Sequence, residues 1–308
     1  MKPGITVVGS VNMDLVFRTP RMPVLGETIS GREFREIPGG KGANQAVAAA
    51  RQGGAVFFVG CVGDDGFATR SLASLQQDGI DTSAIRQVAN CATGVAGIFV
   101  EDQGGNSIVL AAGANAELSI ADIDAASSRI AHSKLLICQL ETPLATVRHA
   151  IALAASQQVA VMLNPAPAQD LDDALLAQVT YLIVNETESA QLSGIAVTDQ
   201  ASAEQAAQKL LQRGVKAVLL TMGEHGVLVA DSSGCRAFKG ISVEVVDTTA
   251  AGDTFVGALA VGLANGLSLD QAAMDAQYAA ALTVTQLGAQ SSIPSLAQVQ
   301  AFKQKLAA

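Results

Sequence analysis

The chain has 308 residues, 49% hydrophobic and only 4% aromatic, with no Trp and a formal net charge of −9. That charge argues against non-specific binding to nucleic acid or anionic membranes, but not against a nucleotide held by a few local donors. No run approaches the ~20 apolar residues of a membrane span. The length suits one large α/β domain or two modest ones. The first residues lead straight into a strand pattern, without the charged and apolar regions of a signal peptide. Cys61, Cys91, Cys138 and Cys235 are scattered, without CxxC or Cys/His ligand spacing. They read as reduced thiols with no zinc site, and the expectation is a cytoplasmic protein.

In chain order, Ile5–Val8 is the first apolar strand pattern, and it runs into Gly9-Ser10-Val11-Asn12-Met13-Asp14. On extended backbone Asn12 and Asp14 share a face. An amide and a carboxylate at that spacing grip neighbouring hydroxyls of a polyol. A plain turn competes, since Asn and Asp favour turns for their own reasons. Leu15–Arg21 and Thr28–Ile37 look extended. Gly39-Gly40-Lys41-Gly42-Ala43-Asn44-Gln45 then opens an alanine-rich helix pattern, Ala43–Gln52. Paired glycines expose backbone amides there, and Lys41 and Asn44 add donors. A Walker loop needs four residues between Gly and Gly-Lys, then Ser or Thr; Lys41 is followed by Gly42, so that reading fails. No Gly-x-Gly-x-x-Gly follows a strand, which weakens a dinucleotide-dependent dehydrogenase.

Further strand patterns at Val56–Val59, Leu135–Leu140, Ala160–Asn164, Tyr181–Asn185 and Ala217–Thr221 alternate with helix patterns. The helix patterns are Phe67–Asp78, Leu144–Gln157 and Ala201–Gly214. Such alternation predicts an α/β fold, a doubly wound and mostly parallel sheet with flanking helices. Ligands of these sheets sit beyond the carboxyl ends of the strands. Gly9–Asp14, Gln139–Glu141, Asn164, Asn185–Glu188 and Thr221–Gly226 all follow strands and would converge on one edge. Thr93–Glu101 and Asn106–Ala111 flank Asp102-Gln103-Gly104-Gly105 like a hairpin.

The most informative segment is Asp247-Thr248-Thr249-Ala250-Ala251-Gly252-Asp253-Thr254-Phe255, set before a long apolar helix pattern. A helix opening here leaves the amides of Ala250, Ala251, Gly252 and Asp253 without intrahelical partners. Those amides and the helix dipole make an anion hole, and small side chains let a phosphoryl group approach. Asp253 then stands beside the anion as a proton acceptor. That combination reads as phosphoryl transfer to a hydroxyl. A simple capping aspartate is the competing reading.

The Gly-Gly-Lys-Gly-Ala-Asn and Asp-Thr-x-Ala-Ala-Gly-Asp-Thr-Phe segments resemble the two signatures of the pfkB-type carbohydrate kinase family. Asn185-Glu186-Thr187-Glu188 is similar to the family's Asn-x-x-Glu element, and Asn164-Pro165-Ala166-Pro167 resembles its ribokinase branch. The likeness runs from about Ile5 to Pro294. It implies a single ribokinase-like domain over 1–308, with a small β-sheet lid from about 15–37 and 93–111. It further implies that two chains pair through their lids as a homodimer.

The resemblance also implies ATP-dependent phosphorylation of D-ribose at the 5-hydroxyl, with Asp253 as base beside the Ala250, Ala251 and Gly252 amides. Asn12, Asp14, Gly40, Lys41, Asn44, Glu141 and Asp253 would hold the sugar. Taken alone, Glu141 could instead cap the Leu144–Gln157 helix. Asn185, Thr221, Gly223, Glu224, His225, Gly226 and Gly252 would hold ATP, with Gln277 at the adenine edge. His225 reads as a loop residue rather than a base, and His132 and His149 as surface or packing residues. Glu188 would organise Mg2+ through water, or serve as an ordinary first-turn glutamate. K+ would be held by Asp247 and the carbonyls of Thr249, Thr283, Gln286 and Gly288, with Ser292. The nearest alternative is a kinase for 2-deoxyribose, another furanose or a nucleoside. A sugar-binding regulator without catalysis is the alternative of another class, and the retained Gly252 and Asp253 argue against it.

Overall fold

The computed structural model describes residues 4–103 and 105–307, and its strands form two sheets. β1 (Gly4–Val8) lies in the large sheet, whereas β2 (Asn12–Thr19) and β3 (Glu33–Gly39) form part of the small one. After α1 (Lys41–Arg51) the chain returns to the large sheet with β4 (Ala55–Val62), α2 (Gly66–Gln77) and β5 (Asp81–Gln87). β6 (Gly94–Glu101) and β7 (Asn106–Ala111) complete the small sheet, ordered β3-β2-β6-β7. A 3-10 turn (Gly113–Glu117), α3 (Ile120–Ala125) and α4 (Ser127–Ala131) lead to β8 (Leu135–Cys138). There follow α5 (Leu144–Ser156), β9 (Ala160–Leu163), α6 (Asp173–Leu176), β10 (Tyr181–Asn185), α7 (Glu186–Ser193), α8 (Gln200–Gln212) and β11 (Ala217–Thr221). A second 3-10 turn (Gly223–His225) precedes β12 (Val227–Asp231) and β13 (Gly234–Phe238). Three helices end the chain, α9 (Ala251–Ala264), α10 (Leu269–Thr283) and α11 (Leu296–Ala307).

The large sheet runs β13-β12-β11-β10-β9-β8-β1-β4-β5. It is parallel from β11 to β5, with β12 and β13 antiparallel at one edge. The chain steps outward from β1 to β5, then restarts on the other side at β8. The reversal between β1 and β8 is the topological switch point, where such sheets bind ligands.

Helices cover both faces, so the central strands are apolar on both sides. Leu136 and Cys138 of β8 join the layer beneath α5 and α8 with Val147, Ile151, Ala206 and Leu210. Leu135 and Ile137 join the opposite layer, with Val47 of α1, Leu259 of α9 and Ala276 of α10. No helix among the described residues is long and apolar enough to cross a membrane.

The strand and helix alternation read from the sequence is found. β5, β12 and β13 were not anticipated; β5 and β13 are partly exposed edge strands, whereas β12 is a short, buried strand between β11 and β13. In the small sheet β2 starts earlier than the expected Leu15–Arg21 and ends at Thr19, and Thr28–Ile37 is a strand only from Glu33. The hairpin between β6 and β7 is present, with the Glu101 amide bonded to the Gly105 carbonyl at 2.9 Å; Gly104 of its turn lies outside the described residues.

α1 and α9 pack face to face through small residues. A Cβ on Gly257 would stand 2.5 Å from the Ala48 Cβ and 2.7 Å from the Gln45 carbonyl oxygen, so the helices leave no room for a methyl group. Gly257→Ala is expected to destabilise the chain by about 1–3 kcal/mol. Urea unfolding would detect this, and an unchanged midpoint would show that the helix contact can accommodate a methyl group.

Candidate active site

The carboxyl ends of β1, β8, β9, β10 and β11 bring Asn12, Glu141, Asn164, Asn185 and Thr221 to one edge of the large sheet. Two adjoining cavities open there. One, of about 300 Å³, is lined by Asn12, Leu110, Asn115, Glu141, Thr142 and Pro167 among others. The other, of about 220 Å³, is lined by Lys41, Asn164, Asn185, Glu188, Thr221, Thr248, Ala250, Gly252 and Asp253 among others. Glu141 of the first links to Lys41 of the second, its Oε2 accepting the Lys41 amide at 3.1 Å.

Glu141 sits at the N-terminus of α1, where the helix dipole favours negative charge. The same Oε2 takes the Ser10 hydroxyl at 2.6 Å. Ser10 Oγ in turn accepts the Gly42 amide at 3.2 Å, and its carbonyl the Ala43 amide at 2.9 Å. The protein therefore fills the amides of Lys41, Gly42 and Ala43 that follow the paired glycines, because the helix starts at Lys41 and docks on Ser10. Glu141 does not cap α5, whose N-terminal residue Pro143 has no side-chain cap.

Asn12 and Asp14 share one face of β2, opposite Gly39 and Ile37 of β3. A Cβ on Gly39 would collide with the Asp14 carboxylate, which lies directly on that glycine. Burial foremost, and then the charges of Glu141 and Asp253, push the Asp14 pKa up to about 7, against the pull of Lys41. Burial alone would lower the Lys41 pKa, but Asp253, Glu141, Glu188 and Asp14 together raise it. Lys41 is thus the cationic centre of a carboxylate cluster.

Asp253 is buried in the first turn of α9. Asn44 Nδ2 donates to its Oδ2 at 3.0 Å and Gln45 Nε2 to its Oδ1 at 2.9 Å. Gln45 Nε2 also reaches Asn164 Oδ1 at 3.1 Å, while Gln139 Nε2 donates to Gln45 Oε1 at 2.6 Å. Asn164 Nδ2 ends this amide chain on the Ile183 carbonyl at 3.1 Å. Its members fix one another's orientation and so the rotamer of Asp253.

Ala250 adopts a left-handed conformation, φ 61° and ψ 6°, at the start of α9. That costs a non-glycine residue roughly 1–2 kcal/mol, and such strain gathers at functional sites. The amides of Ala250, Gly252 and Asp253 find no acceptor among the described residues. The Ala251 amide turns back to the Thr248 carbonyl at 3.3 Å, so the expected hole loses that member.

Asn185 and Glu188 form a reciprocal cap on α7. Asn185 Oδ1 accepts the Glu188 amide at 2.8 Å, and Glu188 Oε2 the Asn185 amide at 3.0 Å. Both still line the second cavity, and burial above all raises the Glu188 pKa. Thr221 lines it too, but Gly223, Glu224, His225 and Gly226 do not. Gly223, Glu224 and His225 are exposed, and Gly226 is buried where a Cβ would collide with the Phe238 carbonyl. Gln277 is half-buried on α10, also outside the lining.

Asp247 joins two of the segments expected to hold K+. Its Oδ1 accepts the Thr249 amide at 2.9 Å and hydroxyl at 2.7 Å, and its Oδ2 the Gly288 amide at 2.9 Å. Burial opposes ionisation of Asp247, but these bonds hold its pKa below the usual carboxylate value. Thr283 Oγ1 donates to Thr254 Oγ1 at 3.0 Å and Ser292 Oγ to the Ala289 carbonyl at 2.8 Å, whereas Gln286 is exposed.

The pfkB family carbohydrate kinase model matches residues 2–296. The chain belongs to that family. It is 44% identical to a ribokinase of Haemophilus influenzae over 302 residues, covering 98% of this chain and 99% of the relative. It is 38% identical to a deoxyribokinase of Salmonella typhi over 299 residues, 97% of this chain and 98% of the relative. The solved structure of Arabidopsis thaliana ribokinase with ribose and ATP matches with a TM-score of 0.90 at 31% identity, covering 98% of this chain and 99% of that one. The kinase fold and chemistry read from the sequence are thus those of the family.

Sequence reasoning missed the roles of Ser10, Gln45 and Gln139. Gln45 stood inside a quoted motif, and its place one residue after Asn44 was the available signal.

Asp14 supplies a pH test. Its pKa is about 7 against an ordinary value of 3.8, so between these the folded chain holds a proton that the unfolded chain has lost. Its contribution to stability is full below the lower value and is lost as pH rises through the upper one. Asp14→Asn should therefore gain stability over the parent chain as pH rises from about 5 to about 8 in urea unfolding. A gap independent of pH would place the Asp14 pKa near its ordinary value.

Proposed function

We propose that the protein transfers the terminal phosphoryl group of ATP to the 5-hydroxyl of D-ribose, giving D-ribose 5-phosphate and ADP. The observation that carries this reading is Asp253, held by two amides on the cavity that Gly252 and Lys41 also line, with the Asp14 carboxylate of β2 close enough to feel its charge. The ribokinase from Haemophilus influenzae and the Arabidopsis structure with ribose and ATP support the substrate and the donor.

Phosphoryl transfer needs positioning, charge stabilisation and removal of the attacking proton. Asn12, Asp14, Gly40, Lys41, Asn44 and Glu141 hold the sugar, the carboxylates accepting hydroxyl hydrogens and the nitrogen donors engaging oxygen lone pairs. Asp253 takes the proton from the 5-hydroxyl as that oxygen attacks. The Ala250 and Gly252 amides, at the positive end of α9, stabilise charge on the phosphoryl oxygens. Asn185 and Thr221 border the nucleotide side. Gly223, Glu224, His225, Gly226 and Gln277 would reach ATP only beyond the cavity wall.

Glu188, a buried carboxylate on that cavity, fits Mg2+ held through water, and the all-oxygen set around Asp247 fits K+. Bound there, the two cations supply neutralisation of phosphate charge and order in the Asp247–Gly252 turn. We also place the whole of 1–308 in one domain, in the cytoplasm. The small sheet serves as the lid, and its exposed Phe34, Ile108 and Val109 would pair two copies. The Salmonella deoxyribokinase favours 2-deoxy-D-ribose as the second reading.

ADP release with MgATP and K+ tests the function, comparing D-ribose with 2-deoxy-D-ribose. Faster turnover of ribose is expected, preference for deoxyribose would replace the substrate, and inactivity with both would overturn the reading. Asp253→Asn should lower turnover by ~10²–10⁴-fold while sugar binding by calorimetry persists. Near-parental turnover of the folded variant would remove Asp253 from the base role.

Replacing K+ by tetramethylammonium is expected to slow turnover and to lower the melting temperature. Identical values in both salts would count against a cation at Asp247.

A further inference from the structure

Asn115 belongs to none of the residue sets assigned above. It is fully buried in the 3-10 turn that leaves β7, on the wall of the cavity lined by Asn12 and Glu141. Its side chain binds Val11 as a strand neighbour would. Oδ1 accepts the Val11 amide at 2.9 Å and Nδ2 donates to the Val11 carbonyl at 3.1 Å. An amide N–H only donates and a carbonyl only accepts, so this pair dictates which end of Asn115 is nitrogen. Nδ2 also donates to Asn12 Oδ1 at 2.7 Å.

The orientation passes on. With its oxygen taken by Asn115, Asn12 turns its NH2 group to the cavity, and that group has no acceptor among the described residues. Gly94, opposite Asn12 on β6, makes the contact possible, because a Cβ there would collide with both amides. The Ala114 amide bonded to the Ala92 carbonyl at 2.8 Å anchors the turn beside it.

We infer that Asn115 is a positioning residue that fixes the Asn12 amide as a hydrogen-bond donor toward the sugar. The inference rests on the sugar-binding role proposed for Asn12. The chemistry gives the orientation its purpose. Asp14, Glu141 and Asp253 offer acceptors, whereas each sugar hydroxyl brings one hydrogen and two lone pairs. The lone pairs need donors, and Lys41 and the Asn12 NH2 group supply them. A reversed Asn12 would add another acceptor and leave buried groups unpaired, the condition that polar sites discriminate against most strongly.

The test measures sugar KM, ATP KM and kcat for the parent chain, Asn115→Ala, Asn12→Ala and the double variant, with sugar binding by calorimetry. Asn115→Ala is expected to raise the sugar KM about tenfold while kcat and the ATP KM stay within about twofold. In the Asn12→Ala background the same change should add nothing, since both act through one amide. Asn12→Asp keeps an acceptor for Asn115 but turns an oxygen to the cavity, and should lose sugar affinity to a similar extent. An unchanged sugar KM in Asn115→Ala, simple additivity of the two alanine changes, or parental affinity in Asn12→Asp would overturn the inference. If Asn115→Ala fails to fold, Asn12→Asp still decides. Should the parent chain reject ribose, the substrate proposal fails by itself, and the same comparison runs with the sugar it phosphorylates.

Discussion

The close approach of α1 and α9 is the constraint on which the rest of the site depends. Gly257 lies against Ala48 and the Gln45 carbonyl, and the flanking positions of both helices are mostly alanine and glycine. Bulkier side chains would move the helix axes apart and carry the Asn44 and Gln45 amides away from Asp253. The packing also sets two helix N-termini side by side. One receives the carboxylate of Glu141, and the other keeps the free amides of Gly252 and Asp253 for an incoming anion. Two positive helix ends meeting in one cleft suit a reaction in which negative charge moves between oxygens.

This convergence gathers more carboxylates than a stable interior would choose. Asp14, Glu141, Glu188 and Asp253 all act electrostatically on Lys41. The raised pKa values of Asp14 and Glu188 record how far burial opposes their charge. Such a cluster weakens the empty fold and strengthens the filled site, the exchange of stability for activity common at catalytic centres. Lys41 limits the cost by standing among all four.

The parts legible in the sequence were those written in short range. Central strands read clearly because burial on both faces makes them apolar runs, as at Leu135–Cys138. Asp253 read clearly because small residues and a glycine precede an apolar helix. Edge strands such as β5 were obscure because exposure dilutes their pattern. The amides that orient the site were obscure for another reason. Asn115 meets Val11 across 104 residues, and Gln139 meets Gln45 across 94. Nothing local distinguishes them from any buried amide. At Gly226 backbone packing by itself calls for glycine, and in sequence such a glycine looks the same as one that cradles phosphate.

The small sheet, proposed as the lid, shares β2 with Asn12 and Asp14, the proposed sugar contacts, which would tie cover to contact. β2 begins with Asn12 and Asp14 and continues to Phe17, which stacks on Phe99 with ring centroids 5.4 Å apart and packs at a tilt against Phe34 at 4.9 Å. The aromatic group ties β2 to β3 and β6 within the small sheet. Any rotation of that sheet carries Asn12 and Asp14 with it, because no joint separates them from Phe17. Asn115 works against such displacement, since it grips Val11 and Asn12 at the point where the chain passes from one sheet to the other. Leu110, near the end of β7, lines the cavity of Asn12 and Asn115 three residues before that turn begins. A sugar filling that cavity as proposed would touch both β2, which carries Asn12, and β7, which leads into the turn of Asn115. On the roles proposed for the small sheet, Asn12 and Asp14, covering the sugar and aligning its hydroxyls would be one mechanical event.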